Sequence, residues 1–319
     1  MTTRPFKQVD VFTAIPYLGN PLAVVLDGAG LDEAQMQAFA RWTNLSETTF
    51  LLPPTRPEAD YRVRIFTPGG ELPFAGHPTL GSCHAWLQAG GKPKNATRNS
   101  TQKTTKASEI IQECQLGLVR IQQNAASLAF AAPPLKRSAP SATQLAKIAG
   151  ALGLKSQQIV AAQVLDNGPV WLGLLLDSTD TVLALTPNHL ELKNLGVQVG
   201  VAGVYIAEAA TQLIAKSSRE ARAFGGLSAS SGGMREVAPD LEVRAFAAPI
   251  GVNEDPVTGS LNASLAQWLI ADGYMPQSYL AAQGGCLERA GRVSISRDAS
   301  EQVWVGGAVV TCVDGMVRL

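Results

Sequence analysis

Two similar segments decide the fold of this chain: RIFTPGGELPFAGHPTLGSCHAWL at residues 64–87 and RAFAAPIGVNEDPVTGSLNASLAQWL at residues 244–269. Each starts with an Arg-x-Phe strand, passes through Pro and Gly residues typical of a turn, and ends in a helical stretch closed by Trp-Leu. Two halves built alike predict a pseudo-twofold pair of domains, and ligand sites favour the interface between domains. The spacing within the segments is inexact, so a chance similarity is the alternative.

The residues around these segments predict a mixture of strands and helices. Residues 8–26 alternate apolar and polar side chains around Gly19-Asn20-Pro21, which predicts two strands joined by a turn. Asp32 is expected to cap a helix that ends near Asn44. Further strands are predicted at 48–52 and 61–66, and central helices at 78–88 and 260–272.

Two polar stretches are predicted to be loops. Residues 90–108 are rich in lysine, contain no acidic residue and have almost no apolar one, so they cannot contribute to a core. Residues 224–233 (FGGLSASSGG) lack both the lysine and the preceding strand of a phosphate-binding loop. We therefore assign no function to either stretch.

The composition restricts the class of protein. Of 319 residues, 46% are hydrophobic and 16% are charged, which predicts a compact globule with a large core. The 26 basic and 26 acidic residues cancel, so nucleic acid and anionic membranes are not expected partners. We find no apolar run of membrane-spanning length and no signal peptide, and expect a cytoplasmic protein. The four cysteines form no CxxC pair, which favours neither a zinc site nor a disulfide framework.

The second feature of the two segments is a polar residue before a proline at a predicted helix start. His77 and Asp255 occupy these positions, and Gly76 and Gly259 lie close by. A helix start offers unpaired backbone N–H groups and a partial positive charge, and glycine lets a ligand approach the backbone. Two such ends that face each other would bind a carboxylate. The alternatives are that Asp255 only caps its own helix and that His77 is a hydrogen-bonded core residue.

Glu47 is the candidate acid/base group. It lies between the first predicted helix and the strand at 48–52, and an apolar run follows it. Burial at such a junction raises the pKa of a carboxyl towards neutrality, where it both gives and takes protons efficiently. The alternative is an ordinary surface glutamate.

Seven motifs together resemble the PhzF (phenazine biosynthesis) family: VDVF at 9–12, GNPLAVV at 19–25, NLSET at 44–48, IFTP at 65–68, FAGHPTLG at 74–81, EDPVTGS at 254–260 and QG at 283–284. The resemblance implies an α+β, diaminopimelate epimerase-like fold of two pseudo-symmetric domains, each with an antiparallel sheet curled around a central helix. It also implies an active site in the cleft between the domains. We predict an N-terminal domain at 1–117, to which a strand at 308–319 returns, and a C-terminal domain at 118–307.

The resemblance also implies proton-transfer chemistry without a cofactor or a metal. The family's type enzyme isomerises trans-2,3-dihydro-3-hydroxyanthranilate, and the glutamate that matches its general acid/base is Glu47. The remaining matches are polar residues around the substrate and their neighbours: His77, Asp255, Ser260, Ser46, Gly76 and Gly259. Related epimerases use two facing cysteines, and the positions that match them here are predicted to be Ala75 and Asp255, so a two-thiol mechanism is not expected. Homodimers are common in the family.

These observations predict an isomerase that moves a proton on a small carboxylated metabolite through Glu47. A second hypothesis is an epimerase or racemase in which Glu47 and Asp255 are opposed carboxylates. A third is a non-catalytic metabolite-binding protein of the same fold. We expect a homodimer that binds neither nucleic acid nor membrane.

Overall fold

The computed structural model of the protein describes residues 1–94, 108–124, 127–205 and 237–319. These ranges contain six α-helices: α1 Glu33–Thr43, α2 Gly76–Gln88, α3 Ala142–Leu152, α4 Thr179–Ala184, α5 His189–Leu195 and α6 Gly259–Ala271. They contain eighteen strands: β1 Thr3–Val11, β2 Asn20–Val25, β3 Thr48–Leu52, β4 Tyr61–Thr67, β5 Gly70–Leu72, β6 Ser108–Cys114, β7 Gly117–Gln123, β8 Leu128–Ala131, β9 Lys136–Ser138, β10 Ile159–Asp166, β11 Val170–Leu176, β12 Gln198–Val204, β13 Leu241–Ala247, β14 Val252–Asp255, β15 Ser278–Gln283, β16 Gly291–Arg297, β17 Val303–Gly307 and β18 Val309–Arg318. The predicted loop at 224–233 and residues 95–107 of the lysine-rich stretch lie outside the described residues.

The two halves have the same strand order, which confirms the predicted pseudo-symmetry. The N-terminal sheet runs β18-β1-β2-β3-β4-β6-β7-β8. The C-terminal sheet runs β9-β10-β11-β12-β13-β15-β16-β17. Most neighbours are antiparallel, but each half has two parallel contacts at equivalent places, β2 with β3 and β4 with β6, and β11 with β12 and β13 with β15. The short strands β5 and β14 pair with β4 and β13 at equivalent places.

The strand pairing connects the halves at two points. β8 pairs with β17, which joins the edges of the two sheets. β18 pairs along its length with β1, so the end of the chain completes the N-terminal sheet. β6 and β7 form one hairpin, and the N-terminal sheet consequently continues through β8, beyond the predicted boundary at 117/118.

The helices α2 and α6 are the cores of their halves. Most of their residues are buried on all sides, as expected of a helix surrounded by a curled sheet. Small residues allow this close packing: a Cβ added at Gly81 of α2 would lie 2.6 Å from Leu22, and one added at Gly200 of β12 would lie 2.2 Å from Leu261 of α6. α2 begins two residues before its predicted start, and α6 begins one residue before.

The segment that leads to Glu47 is set by local interactions. Asp32 caps α1, and its side chain accepts a hydrogen bond from Gln35 N while the Gln35 side chain accepts one from Asp32 N. Asn44 ends α1 in the left-handed conformation, with φ 53°. The chain then turns through Ser46 and Glu47 directly into the buried strand β3. The predicted limits of α1 are confirmed.

Candidate functional site

The N-termini of α2 and α6 meet head to head between the two halves. A Cβ added at Gly76 would lie 2.8 Å from Gly259 Cα, and a Cβ added at Gly259 would lie 2.9 Å from Gly76 Cα. Only glycine at both positions permits this approach. Since the first N–H groups of a helix have no acceptor within the helix, two sets of such donors and two positive dipole ends converge here.

The helix starts differ from the predicted arrangement in detail. His77 lies inside the first turn of α2, whereas Asp255 ends β14, four residues before α6 begins. The residues that directly precede the two helices are Ala75 and Thr258, so the counterpart of Ala75 is Thr258 and not Asp255. None of these residues is a cysteine. Asp255 does not cap α6, because its side chain accepts hydrogen bonds from the Thr258 hydroxyl and from Asn20 in the other half of the molecule and not from the first N–H groups of the helix.

Glu47 and His77 form a buried contact at this interface. Glu47 Oε2 lies 3.3 Å from His77 Nε2, and the side chains are 15% and 4% exposed. Neither atom has a hydrogen-bond partner among the described residues, and their mutual contact does not have hydrogen-bond geometry. The other imidazole nitrogen, Nδ1, lies 3.4 Å from Asn20 Nδ2. The Asn20 amide nitrogen donates its two protons to Asp255 and Val257 and cannot accept one from Nδ1, which favours the neutral tautomer with the proton on Nε2, facing Glu47.

Burial keeps this contact uncharged near neutral pH. Desolvation and the nearby charge of Asp255 raise the pKa of Glu47 to about 8, although a hydrogen bond from Ser46 opposes the rise. Desolvation lowers the pKa of His77 to about 3. At pH 7 the glutamate is therefore mainly protonated and the histidine is neutral, so the pair is not a salt bridge.

Asp255 is held by both halves of the molecule. Its Oδ1 accepts a hydrogen bond from Asn20 Nδ2 at 3.0 Å, and its Oδ2 accepts one from Thr258 Oγ1 at 2.6 Å. Desolvation raises the pKa of Asp255 to about 6, and the two hydrogen bonds, which favour the ionised form, limit the rise. Asp255 thus carries the negative charge of the site at neutral pH while Glu47 carries the proton.

Two residues that organise the site had no predicted role. Asn20 is fully buried and donates also to Val257 O at 2.9 Å, which ties the start of β2 to the loop before α6. Gln283 accepts from Thr258 N at 3.0 Å and donates to Asp255 O at 3.0 Å. Both residues belong to motifs of the family resemblance, GNP at 19–21 and QG at 283–284, but the residue types alone indicate no contact across the molecule.

A cavity of about 230 Å³ opens beside these groups. The N-terminal half contributes Ser46, Glu47 and residues 72–75, and the C-terminal half contributes Asp255, Thr258, Ser260 and mainly apolar side chains that include Trp171, Ile250 and Val252. His77, Gly76 and Gly259 lie directly behind this surface, at the helix ends. The structure therefore brings together all seven predicted site residues.

The cavity has polar groups at one end and apolar walls around the rest. Neither lysine nor arginine is among the described residues that line it. The described ranges also hold no group of three or more His, Cys, Asp and Glu side chains with the geometry of a metal site. Across the same ranges, every helix is too short or too polar to span a membrane.

Comparison with known proteins identifies the family. The family model for phenazine biosynthesis-like proteins (PhzC-PhzF) matches residues 9–315. Antisense-enhancing sequence 1 of Schizosaccharomyces pombe is 36% identical over 330 aligned positions that cover 99% of both chains. Trans-2,3-dihydro-3-hydroxyanthranilate isomerase of Pseudomonas fluorescens is 35% identical over 189 positions, which cover 58% of this chain and 62% of that enzyme.

A solved structure shows the same fold. The crystal structure of a PhzF-family phenazine biosynthesis protein from Bacillus anthracis covers 100% of both chains with a TM-score of 0.74 at 22% identity. This likeness confirms the predicted diaminopimelate epimerase-like α+β fold. The extent of the family match and the relatives named as isomerases show that the chain belongs to the phenazine biosynthesis-like PhzC-PhzF family and is an isomerase.

Proposed function

We propose that the protein is a cofactor-independent isomerase that moves a proton within a small carboxylated metabolite, with Glu47 as the general acid/base. One observation carries the proposal: the Glu47 carboxyl lines the cavity between the halves, and its pKa is raised to about 8. A carboxyl whose pKa lies near the working pH is suited both to take a proton and to return it. Such catalysis contributes roughly 10²- to 10⁴-fold to the rate.

A single group suffices for an isomerisation because no proton is gained or lost overall. Glu47 starts protonated, delivers its proton to one substrate atom and then takes up a proton from another, so each turnover restores its starting state. His77 Nε2 lies 3.3 Å from Glu47 Oε2, and a small rotation of either side chain would let its proton bind the ionised carboxyl between the two transfers. A charged histidine would lower the pKa of Glu47 and weaken it as a base.

The helix ends supply the binding site for the substrate carboxylate. Gly76 and Gly259 bring the backbone N–H groups of α2 and α6 together, and helix N-termini bind anions through these donors and the helix dipole. No basic side chain is among the described residues that line the cavity, so a second acidic group on the substrate would have no partner there. The apolar walls fit a ring or a short hydrocarbon part.

Asp255 is best suited to accept a hydrogen bond from the substrate. Its two oxygens already accept bonds from Asn20 and Thr258, which hold the side chain in one orientation. The epimerase hypothesis instead requires Asp255 to take up a proton from carbon, and these bonds stabilise its ionised form against that step. The binding-protein hypothesis leaves Glu47 without a use, because a second carboxyl beside a bound carboxylate weakens binding once it ionises.

The test is proton exchange in heavy water. The protein is incubated with a panel of cyclic and acyclic amino-carboxylates that includes trans-2,3-dihydro-3-hydroxyanthranilate, and deuterium uptake is followed by NMR. We expect deuterium to enter one compound together with relocation of a double bond. Inversion at a stereocentre would support the epimerase instead.

Two glutamate-to-glutamine substitutions test whether turnover depends on Glu47. Glu47→Gln is expected to abolish turnover and to retain the thermal stabilisation that the ligand causes, because the helix ends are unchanged. Glu58→Gln changes an exposed glutamate in the same way and is the matched control. Unchanged turnover in Glu47→Gln would remove Glu47 from the mechanism.

A further inference from the structure

Each half of the molecule contains, at an equivalent position, an arginine that forms a bidentate ion pair with a glutamate. Arg244 Nε and Nη2 each lie 2.9 Å from one oxygen of Glu254. Arg64 Nε and Nη2 lie 2.7 Å and 2.6 Å from the oxygens of Glu71. Both guanidinium groups also lie over the ring of the phenylalanine two residues further on, with Cζ 5.1 Å and 5.0 Å from the ring centre.

The two ion pairs differ in burial and in the residue that comes next along the chain. The side chains of Arg244 and Glu254 are 6% and 8% exposed, against 26% and 22% for Arg64 and Glu71. The second Arg244 amino group, Nη1, donates to two carbonyls at the end of α4. The residue after Glu71 is Leu72, whereas the residue after Glu254 is Asp255.

The strand geometry links the buried ion pair to the site. Successive side chains of a strand point to opposite faces, so anchoring Glu254 on one face directs Asp255 to the other. Asp255 indeed lines the cavity. The backbone of β14 supplies little of this alignment, since it pairs with β13 only at Asp255 and Val252 and the register shifts between them.

We propose that Arg244 and Glu254 are positioning residues, which fix the strand that carries Asp255 and set its orientation and charge in the cavity. Arg64 and Glu71, the equivalent pair, have no such role because an apolar residue comes after Glu71. The consequence for turnover rests on the proposed function. The consequence for Asp255 itself is independent of any substrate.

The ion pair acts on Asp255 also through charge. The charged groups that act on Asp255 are Glu47, beside it in the cavity, and Glu254, the preceding residue on its strand, which points to the opposite face and pairs with Arg244. His77 contacts Glu47 and is neutral. The negative charge of Glu254 helps to raise the pKa of Asp255 to about 6. Removal of that charge should therefore lower the Asp255 pKa.

The test measures the Asp255 pKa by carbon NMR of protein labelled with ¹³C at the aspartate side-chain carboxyl, with Asp255→Asn identifying the signal. We expect Glu254→Gln to lower the Asp255 pKa below about 6. Glu71→Gln, which breaks the equivalent pair, should leave it unchanged. An equal response to the two substitutions would overturn the proposal.

A second variant keeps the test valid if Glu254→Gln, which leaves Arg244 buried and unpaired, fails to fold. The double substitution Arg244→Gln with Glu254→Gln removes both charges, and we expect it to lower the Asp255 pKa by a smaller amount. No change in either variant that folds would refute the proposal.

Kinetics separate the positioning role from the proposed function. With a compound that the protein turns over, Glu254→Gln should reduce kcat by about tenfold or more and shift the acid limb of the pH profile, whereas Glu71→Gln should do neither. If no compound is turned over, the NMR titration still decides whether the ion pair controls Asp255. A lower pKa with unchanged kcat would show that the positioning has no catalytic consequence and would overturn that part of the proposal.

Discussion

The substitution Glu47→Gln should make the protein more stable at high pH while it abolishes activity. The Glu47 pKa rises from 4.5 in an exposed environment to about 8 in the folded protein. A carboxyl with a raised pKa contributes its full stability below the unfolded pKa and loses it as the pH rises through the folded pKa, because the unfolded state then ionises more easily. At about 1.4 kcal/mol per pH unit, this loss amounts to about 5 kcal/mol between pH 4 and pH 9.

Glutamine cannot ionise, so the variant does not suffer this loss. Urea unfolding of the wild type and of Glu47→Gln across this pH range measures the difference in unfolding free energy. We expect the advantage of the variant to grow from near pH 4.5 up to pH 8 and to remain constant above. The exposed control Glu58→Gln should show no such trend. A difference that does not depend on pH would refute the idea that the fold holds Glu47 with a raised pKa.

Three further predictions concern the neighbours of Glu47. Gly259→Ala should destabilise the protein by about 1–3 kcal/mol in thermal unfolding and weaken substrate binding, because its Cβ would lie 2.9 Å from Gly76 Cα. Gly150→Ala, in open space within α3, is the control and should stabilise by about 1 kcal/mol. In kinetic assays, kcat/KM should fall as the pH drops through about 6, where Asp255 takes up a proton, and Asp255→Asn should not show this acid limb. Asn20→Ala removes a hydrogen bond to the ionised form of Asp255, so the limb should move to higher pH, and an unmoved limb would contradict the assignment to Asp255.

Elements with local signals can be predicted from the amino-acid sequence alone. The limits of α1 follow from Asp32 and Asn44, because a capping box and a left-handed C-cap involve only residues within a few positions. The starts of α2 and α6 lie within two residues of their predicted positions because a proline near a helix start is a local signal. The apolar run after Glu47 predicts its burial, and seven motifs in the same order predict the family.

The contacts between these elements depend on the folded arrangement of both halves. The contact of Gly76 with Gly259 and the bond from Asn20 to Asp255 join residues from opposite halves of the chain, and no local pattern specifies such a contact. Desolvation is not specified by a local pattern either, because the pKa of Glu47 depends on all atoms that exclude water from it. Hydrogen bonds between residues close in the chain can therefore be predicted from the sequence. The burial of Glu47 and its charge coupling to Asp255 arise only when both halves have folded against each other.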